Sequence, residues 1–493
     1  MKKILLIAFL LIAWPTWVWG ACPAGVCDTD STPNVAEVTD LVATAITGDT
    51  IRFQGDATGG AAWSTTVTVD RNITIDGNGH TLQSSGALAD GFFKITGFSA
   101  SSLVRITGFT FNASGAGKSI WVIGMTGGPT VGNIRIDNNT FNFGTYQVDF
   151  NHGKGLVDNN YFYNATSIAV QLDGGTRDDA EEAWESLAAG TINALVIEDN
   201  HFIQNASGSS LQEQIASENG GKFVIRYNHF DGTLTGAESG VFYPIMTHGN
   251  ADGGCGGGGY WAIDQEAARC RRRGQSVVEI YENQMDANRF NQAIVLRGSA
   301  NLVYNNTLTK ISAITPLVVY FVEEEYDSDN FSPLRTARPG EDQVHNSFVW
   351  NNTLNGVQVN TNPGDWIGAS PSCSTYPASC SAGLQRDQDY FIHAPCASTD
   401  VTASDGFPCT HGIQTFTGLN GASNGNPTDG SPYPTYGSLS FTPGATNAYY
   451  NYTPLTYNHP LRGGSDTPAK VLGVTGSGVG KYMGVDEGNI NWP

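Results

Sequence analysis

The sequence predicts an all-β chain wound as a right-handed parallel β-helix of about nine coils, and three observations carry that prediction. The first is a recurring phrase: an apolar residue, two variable residues, Asn, one variable residue, then Phe, Leu or Met. Seven clean copies run from Ile136–Phe141 through Val157–Phe162, Ile197–Phe202, Ile225–Phe230, Ile280–Met285 and Val303–Leu308 to Val349–Leu354. The second is alternation before each Asn, with Ile134 and Ile136 facing in and Arg135 and Asp137 facing out. The third is spacing. The ladder Asn residues are 21, 40, 28, 55, 23 and 46 apart, so the shortest steps set one turn of a three-sided coil and the rest carry insertions. The hand follows from the strong preference of parallel crossovers.

Met1-Lys2-Lys3, an apolar run from Ile4 to Trp19 and the small residues Gly20 and Ala21 describe a secretory signal peptide over residues 1–20. The mature protein is therefore expected to be secreted, periplasmic or at the cell surface. A lipid anchor on Cys22 is disfavoured by Trp19, which stands where a small aliphatic residue is usual. No later segment is apolar enough to span a bilayer. Val35–Ala45 is expected to form an amphipathic helix capping the stack, and Thr50–Gln54 its first strand. Degenerate copies of the phrase follow at Ile75–Leu82 and Ile106–Phe111, with Phe109 in the Asn slot. In the clean copies the Asn is expected at a sharp bend, itself tolerating left-handed backbone, and stacked Asn amides about 4.8 Å apart are expected to form a ladder. The apolar residue two positions later turns back into the core. A further strand is expected at Tyr146–Phe150, Ile168–Leu172, Phe242–Met246, Ala293–Leu296 and Leu317–Phe321. The cap and helix thus occupy residues 21–354. Residues 355–493, rich in Gly, Pro, Ser and Asn, form a loop-rich, disulfide-bearing C-terminal region.

Composition limits the partners. The 493 residues carry 25 basic and 46 acidic side chains, a net charge of −21, with 11% aromatics. That is too apolar for disorder and too acidic for nucleic acid without a local basic patch. Eight cysteines in an exported chain suggest disulfides, and nearest-neighbour pairing gives Cys22–Cys27, Cys255–Cys270, Cys373–Cys380 and Cys396–Cys409. Zinc is the weaker reading because no Cys-x-x-Cys occurs. The chain is expected as a monomer or a homotrimer.

Insertions gather at one corner of the coil, at 173–191, 247–276 and 322–346, and such loops wall a groove. The polysaccharide-binding groove predicted there favours an acidic glycan. Its candidate catalytic residues are His248, Arg297, Arg226, Asp173 and Glu323; candidate substrate-binding residues are His152, Lys154, Glu213, Arg271 and Tyr227. A His beside an Arg suits β-elimination on a uronate, the Arg neutralising the carboxylate while the His moves the proton. Asp173 and Glu323 instead suit acid–base hydrolysis of a glycosidic bond. The competing structural reading makes all of them solvated turn residues on a non-catalytic adhesive solenoid. Tyr161, Tyr227 and Trp350 occupy outward positions suited to stacking on sugars. Calcium is the candidate ion, on the strength of acidic turn loops alone.

Four phrases carry a family likeness: Gly48–Phe53, Gly220–Asn228, Arg273–Tyr281 and Tyr452–Leu461. Through them the chain resembles the pectate-lyase-like superfamily of right-handed parallel β-helix proteins, and more narrowly its exported bacterial and phage-associated members. The resemblance implies the fold and leaves lyase, hydrolase, epimerase and adhesive functions open. Of the polygalacturonase motifs only Thr247-His248-Gly249 and Asp178-Asp179 are approached. Closer is the pattern of alginate and chondroitinase B-like lyases, met here by Glu213, by Arg226 to Phe230 and by Thr247 to Gly249. Glu218 or Asn219 stands where that pattern has its Lys, and Thr247 where it has an Arg.

Overall fold

Three long sheets wrap one continuous apolar core. In the computed structural model the described residues are 25–96, 103–114, 117–123, 134–151, 155–173, 195–204, 212–218, 222–232, 242–247, 277–287, 292–297, 300–310, 317–322, 344, 347–361, 366–369, 386, 390–394, 401–402, 406–408, 414–415 and 440–441. The first face has twelve strands, and the second and third have ten each. Each coil sends one strand to each face in turn. Coil 3, for example, runs Ile134–Asp137, Thr140–Asn142 and Tyr146–Asn151. All pairing between coils is parallel, and nine coils between Thr74 and Ala369 supply a strand to all three faces. Each copy of the phrase therefore spans two faces, the Asn marking the corner between them.

The stack begins with Val26–Asp28 paired to Thr50–Arg52, and the helix Val35–Thr44 lies beside them. Asn34 caps the helix, its side chain accepting the Glu37 amide at 3.0 Å, while Val38, Leu41 and Val42 are buried. Parallel pairing runs on past Leu354, where the phrase stops. Ile367–Ala369 joins the third face and Tyr390–Phe391 the first.

The Asn ladder is continuous from Asn139 through Asn160, Asn200, Asn228, Asn283 and Asn306 to Asn352. At each step Nδ2 donates to Oδ1 of the next Asn at 2.8–3.1 Å. The backbone N–H donates to the same oxygen at 3.0–3.1 Å. At the upper end Asn139 accepts from the Phe109 amide, so a Phe fills the slot without breaking the chain of bonds. One expectation needs correcting. The left-handed residue is the one before each Asn: Asn138, Asn159, Asp199, Tyr227, Glu282, Asn305 and Asn351, with φ between 52° and 57°. The ladder Asn is instead the group that uses the corner's leftover backbone polarity, donating also to the carbonyl two residues earlier.

Beside this polar ladder runs an apolar one. Phe111, Phe141, Phe162, Phe202 and Phe230 stack at 4.8–5.1 Å, a spacing imposed by the coil repeat. Met285, Leu308 and Leu354 continue the column in the core.

Candidate functional site

Third-face strands pair in register, so equivalent positions line up in columns along the stack. Ile120, Val148, Val170, Ile215, Ile245, Ile294 and Val319 form one buried column. The next position along each strand gives the column Trp121, Asp149, Gln171, Ala216, Met246, Val295 and Tyr320. Two positions further lie Asn151, Asp173 and Glu218, paired in that order, and Arg297 closes its strand opposite Val322. The strands ending at Glu218, Thr247 and Arg297 are consecutive neighbours in the sheet. Asp173 and Arg297 therefore share one edge of one face, three strands apart, or about 14 Å at the usual strand spacing. Thr247, the last described residue of its strand, is buried and donates to the Val295 carbonyl at 3.3 Å. Position 248 follows it directly, but His248 lies outside the described residues, as do Glu323, His152, Lys154 and Arg271.

The other candidates stand elsewhere. Glu213 sits at the opposite end of its third-face strand, buried, and pairs with Ile168 and Tyr243. Arg226 ends a first-face strand and is 1% exposed. Its Nε donates to Glu198 and its Nη1 to the Tyr281 hydroxyl at 2.9 Å, so its guanidinium is engaged within the scaffold. Tyr227 occupies the left-handed corner, its ring 5.3 Å from that guanidinium. The structure brings Arg226 and Tyr227 together with each other and leaves them on a different face from Asp173 and Arg297.

Arg226 belongs to a buried polar cluster that sequence reasoning missed. Glu279, 3% exposed, lies in the neighbouring strand two positions before Tyr281, the register partner of Arg226. Burial pushes the Glu279 carboxyl up to about 8, against the pull of Arg226. Burial likewise raises the Tyr281 phenol. In the sequence Val278-Glu279-Ile280 looks like an ordinary strand with one solvated outward residue, whereas in the fold Glu279 is buried. Trp350, expected as an outward aromatic, is buried as well. It is 6% exposed and stacks on Tyr304 at 4.4 Å, itself 4.8 Å from Tyr281. Arg105 with Asp137, and Arg135 with Asp158, are ion pairs on this face.

The second face carries a histidine pair. His201 and His229 are register partners, with rings stacked at 4.4 Å, and Tyr161 packs at 5.7 Å on the other side. The repeated Asn-His-Phe in two copies of the phrase was the signal for this pair. His229 shares a 2.9 Å contact with Asp286. Burial first, then His229, pushes His201 down to about 4, with Asp231 opposing. Its folded value lies below the ordinary 6.5, so the unfolded chain takes up a proton that the folded chain refuses. Stability is thus expected to fall by up to about 3 kcal/mol as pH drops from 6.5 to 4. His201→Phe keeps a ring in the stack and should flatten that loss in melts at pH 4.5 and 7; an unchanged acid slope would show that His201 protonates freely in the fold.

Among the described residues no group of three or more His, Cys, Asp or Glu is placed to hold a metal, and calcium gains no site there. Cys27 is disulfide-bonded; the other seven cysteines lie outside the described residues. No described helix is long and apolar enough to cross a membrane.

No protein-family profile matches the chain, and no curated protein matches it. Among solved structures, the crystal structure of an alginate lyase from Paenibacillus sp. str. FPU-7 aligns with a TM-score of 0.39 and 12% identity, over 70% of this chain and 98% of that one.

Proposed function

We propose that the protein engages an acidic polysaccharide along its third face and cleaves it by β-elimination at the strand-end edge of Asp173, Glu218 and Arg297, with His248, which follows Thr247 in sequence, as the base. One observation carries the proposal: the strands that end at Asp173, Glu218 and Arg297, together with the strand that leads into His248, are successive neighbours in one sheet. In this reading Arg297 neutralises a uronate carboxylate, which acidifies the proton on the adjacent ring carbon. His248 removes that proton. The electron pair forms the ring double bond, the glycosidic C–O bond breaks, and the departing oxygen takes up a proton. Action outside the cytoplasm is supported by the N-terminal leader pattern and by the disulfide at Cys27.

The test is direct. The purified protein incubated with alginate, pectate, chondroitin and a neutral glycan should release unsaturated ends from at least one acidic substrate. His248→Ala and Arg297→Ala should each bring that activity to background. Activity retained in both variants discards this edge as the catalytic site. A second reading, a non-catalytic solenoid that serves as a rigid surface element, is favoured by the first face, where the ion pairs are satisfied within the scaffold. It predicts no new ends with any glycan.

A further inference from the structure

Asn-Gly dipeptides occur at positions 78, 219, 355, 420 and 424, and two of them, Asn78-Gly79 and Asn355-Gly356, lie among the described residues. These two are alike in backbone and in exposure. Asn78 and Asn355 both have φ 50°, Gly79 and Gly356 have φ 83° and 78°, and all four residues are exposed. They differ in what holds them. The Gly79 N–H donates to the Gly108 carbonyl at 2.7 Å. The Asn78 amide donates to Asp76 Oδ1 at 2.8 Å, and Asn78 Nδ2 to the Phe53 carbonyl at 3.3 Å. That turn is pinned to the coils on either side of it.

At the other turn the Asn355 amide donates to the Leu308 carbonyl at 2.9 Å, while the Gly356 N–H meets no acceptor among the described residues. The strand that follows, Val357–Gln358, is exposed at both residues. It pairs antiparallel with Thr353–Leu354 and is the last strand of the second face. So short a terminal hairpin opens at little cost in free energy.

The nitrogen of a glycine that follows Asn is a latent nucleophile, because no Cβ blocks its approach to the Asn side chain. Once hydroxide takes its proton, the Gly356 nitrogen attacks Asn355 Cγ. A C–N bond forms and closes a succinimide ring, the bond from Cγ to Nδ2 breaks, and ammonia leaves with a proton from water. Water then opens the ring at either carbonyl. One product is aspartate; the other is isoaspartate, whose main chain runs through the former side chain. One water is consumed and one ammonia released, with no oxidant or cofactor. At Gly79 the same nitrogen is turned towards Gly108 and its proton is held in a hydrogen bond.

We propose that Asn355 is a site of spontaneous deamidation and that its isoaspartate form releases the strand closing the second face. Isoaspartate adds a backbone carbon to a turn shaped for two residues. The pairing of Thr353 with Gln358 and of Leu354 with Val357 then loses its register, and the Thr353–Leu354 edge is left open.

The test uses the full-length protein held at pH 9 in heavy-oxygen water, folded or in urea, with its peptides mapped by mass spectrometry. In the folded protein Asn355 should take up the label roughly tenfold faster than Asn78 or more, because only its turn opens readily. In urea the two should convert at comparable rates. Equal rates in the fold, or a faster Asn78, overturn the site. So does a difference that persists in urea, since flanking sequence and not the turn would then set the rate. Strand release is read by hydrogen exchange on the isoaspartate fraction. The amides of residues 353–358 should exchange roughly tenfold faster than in the unmodified protein; unchanged exchange there overturns the release.

Discussion

Asn200→Ala is expected to destabilise the protein by about 4 kcal/mol, because a single amide there serves several buried backbone and side-chain groups at once. Asn200 Nδ2 donates to the carbonyls of Val157 and Glu198 and to Asn228 Oδ1, while its Oδ1 accepts both the Asn160 amide and Asn160 Nδ2. Alanine leaves at least the Asn160 N–H and the Val157 carbonyl without these partners in a site that water does not reach. Each orphan costs about 1–3 kcal/mol, and the small cavity adds to that. Urea denaturation gives the readout. A loss below about 1 kcal/mol would mean that the ladder is a consequence of the coil geometry rather than a support for it.

Glu279→Gln is expected to stabilise the protein above pH 8 by about 4 kcal/mol and to change little near pH 4. The folded value of about 8 lies above the ordinary 4.5, so the fold retains a proton that the unfolded chain releases. Stability therefore falls as pH rises through the window from 4.5 to 8, at about 1.4 kcal/mol per unit. The glutamine preserves shape and polarity without a charge to desolvate. Comparing denaturation of parent and variant at pH 5 and pH 9 checks the sign. Parallel slopes would show that the Glu279 carboxyl ionises as it does in water. This effect opposes that of His201 in direction, so the two substitutions should trim opposite limbs of the pH–stability curve.

Much of the fold was legible because its determinants are local and repeated. The strands expected at Tyr146–Phe150 and Leu317–Phe321 appear at Tyr146–Asn151 and Leu317–Val322, since period-two alternation and a core position are both written into the chain. The pairing of Val26–Asp28 with Thr50–Arg52 and the late strand Tyr390–Phe391 were missed, because neither carries the phrase and each is recruited by a neighbour's open edge. The left-handed corner residue was misplaced by one position. Asn in the ladder slot and Asn before it look alike as turn formers, and only φ separates them.

The candidate site was legible in part. Asp173 and Arg297 were nominated as residues at the end of the same kind of strand, and parallel register does place them on one edge. Arg226 was nominated on motif likeness, and it proved to be buried against Glu198 and Tyr281 on another face. Glu279 drew no notice, for what marks it is an environment rather than a motif.

By itself the sequence determined the coil: where each turn falls, which residues enter the core, and which Asn and Phe stack on their counterparts. Those features depend on spacing along one chain, and a repeat carries spacing without ambiguity. The tertiary structure decided which outward residues stay wet, which charges are dry enough to shift, and which turn amide is left without an acceptor. Such properties depend on what packs over a position from distant segments, and the identity of the residue there does not encode its cover.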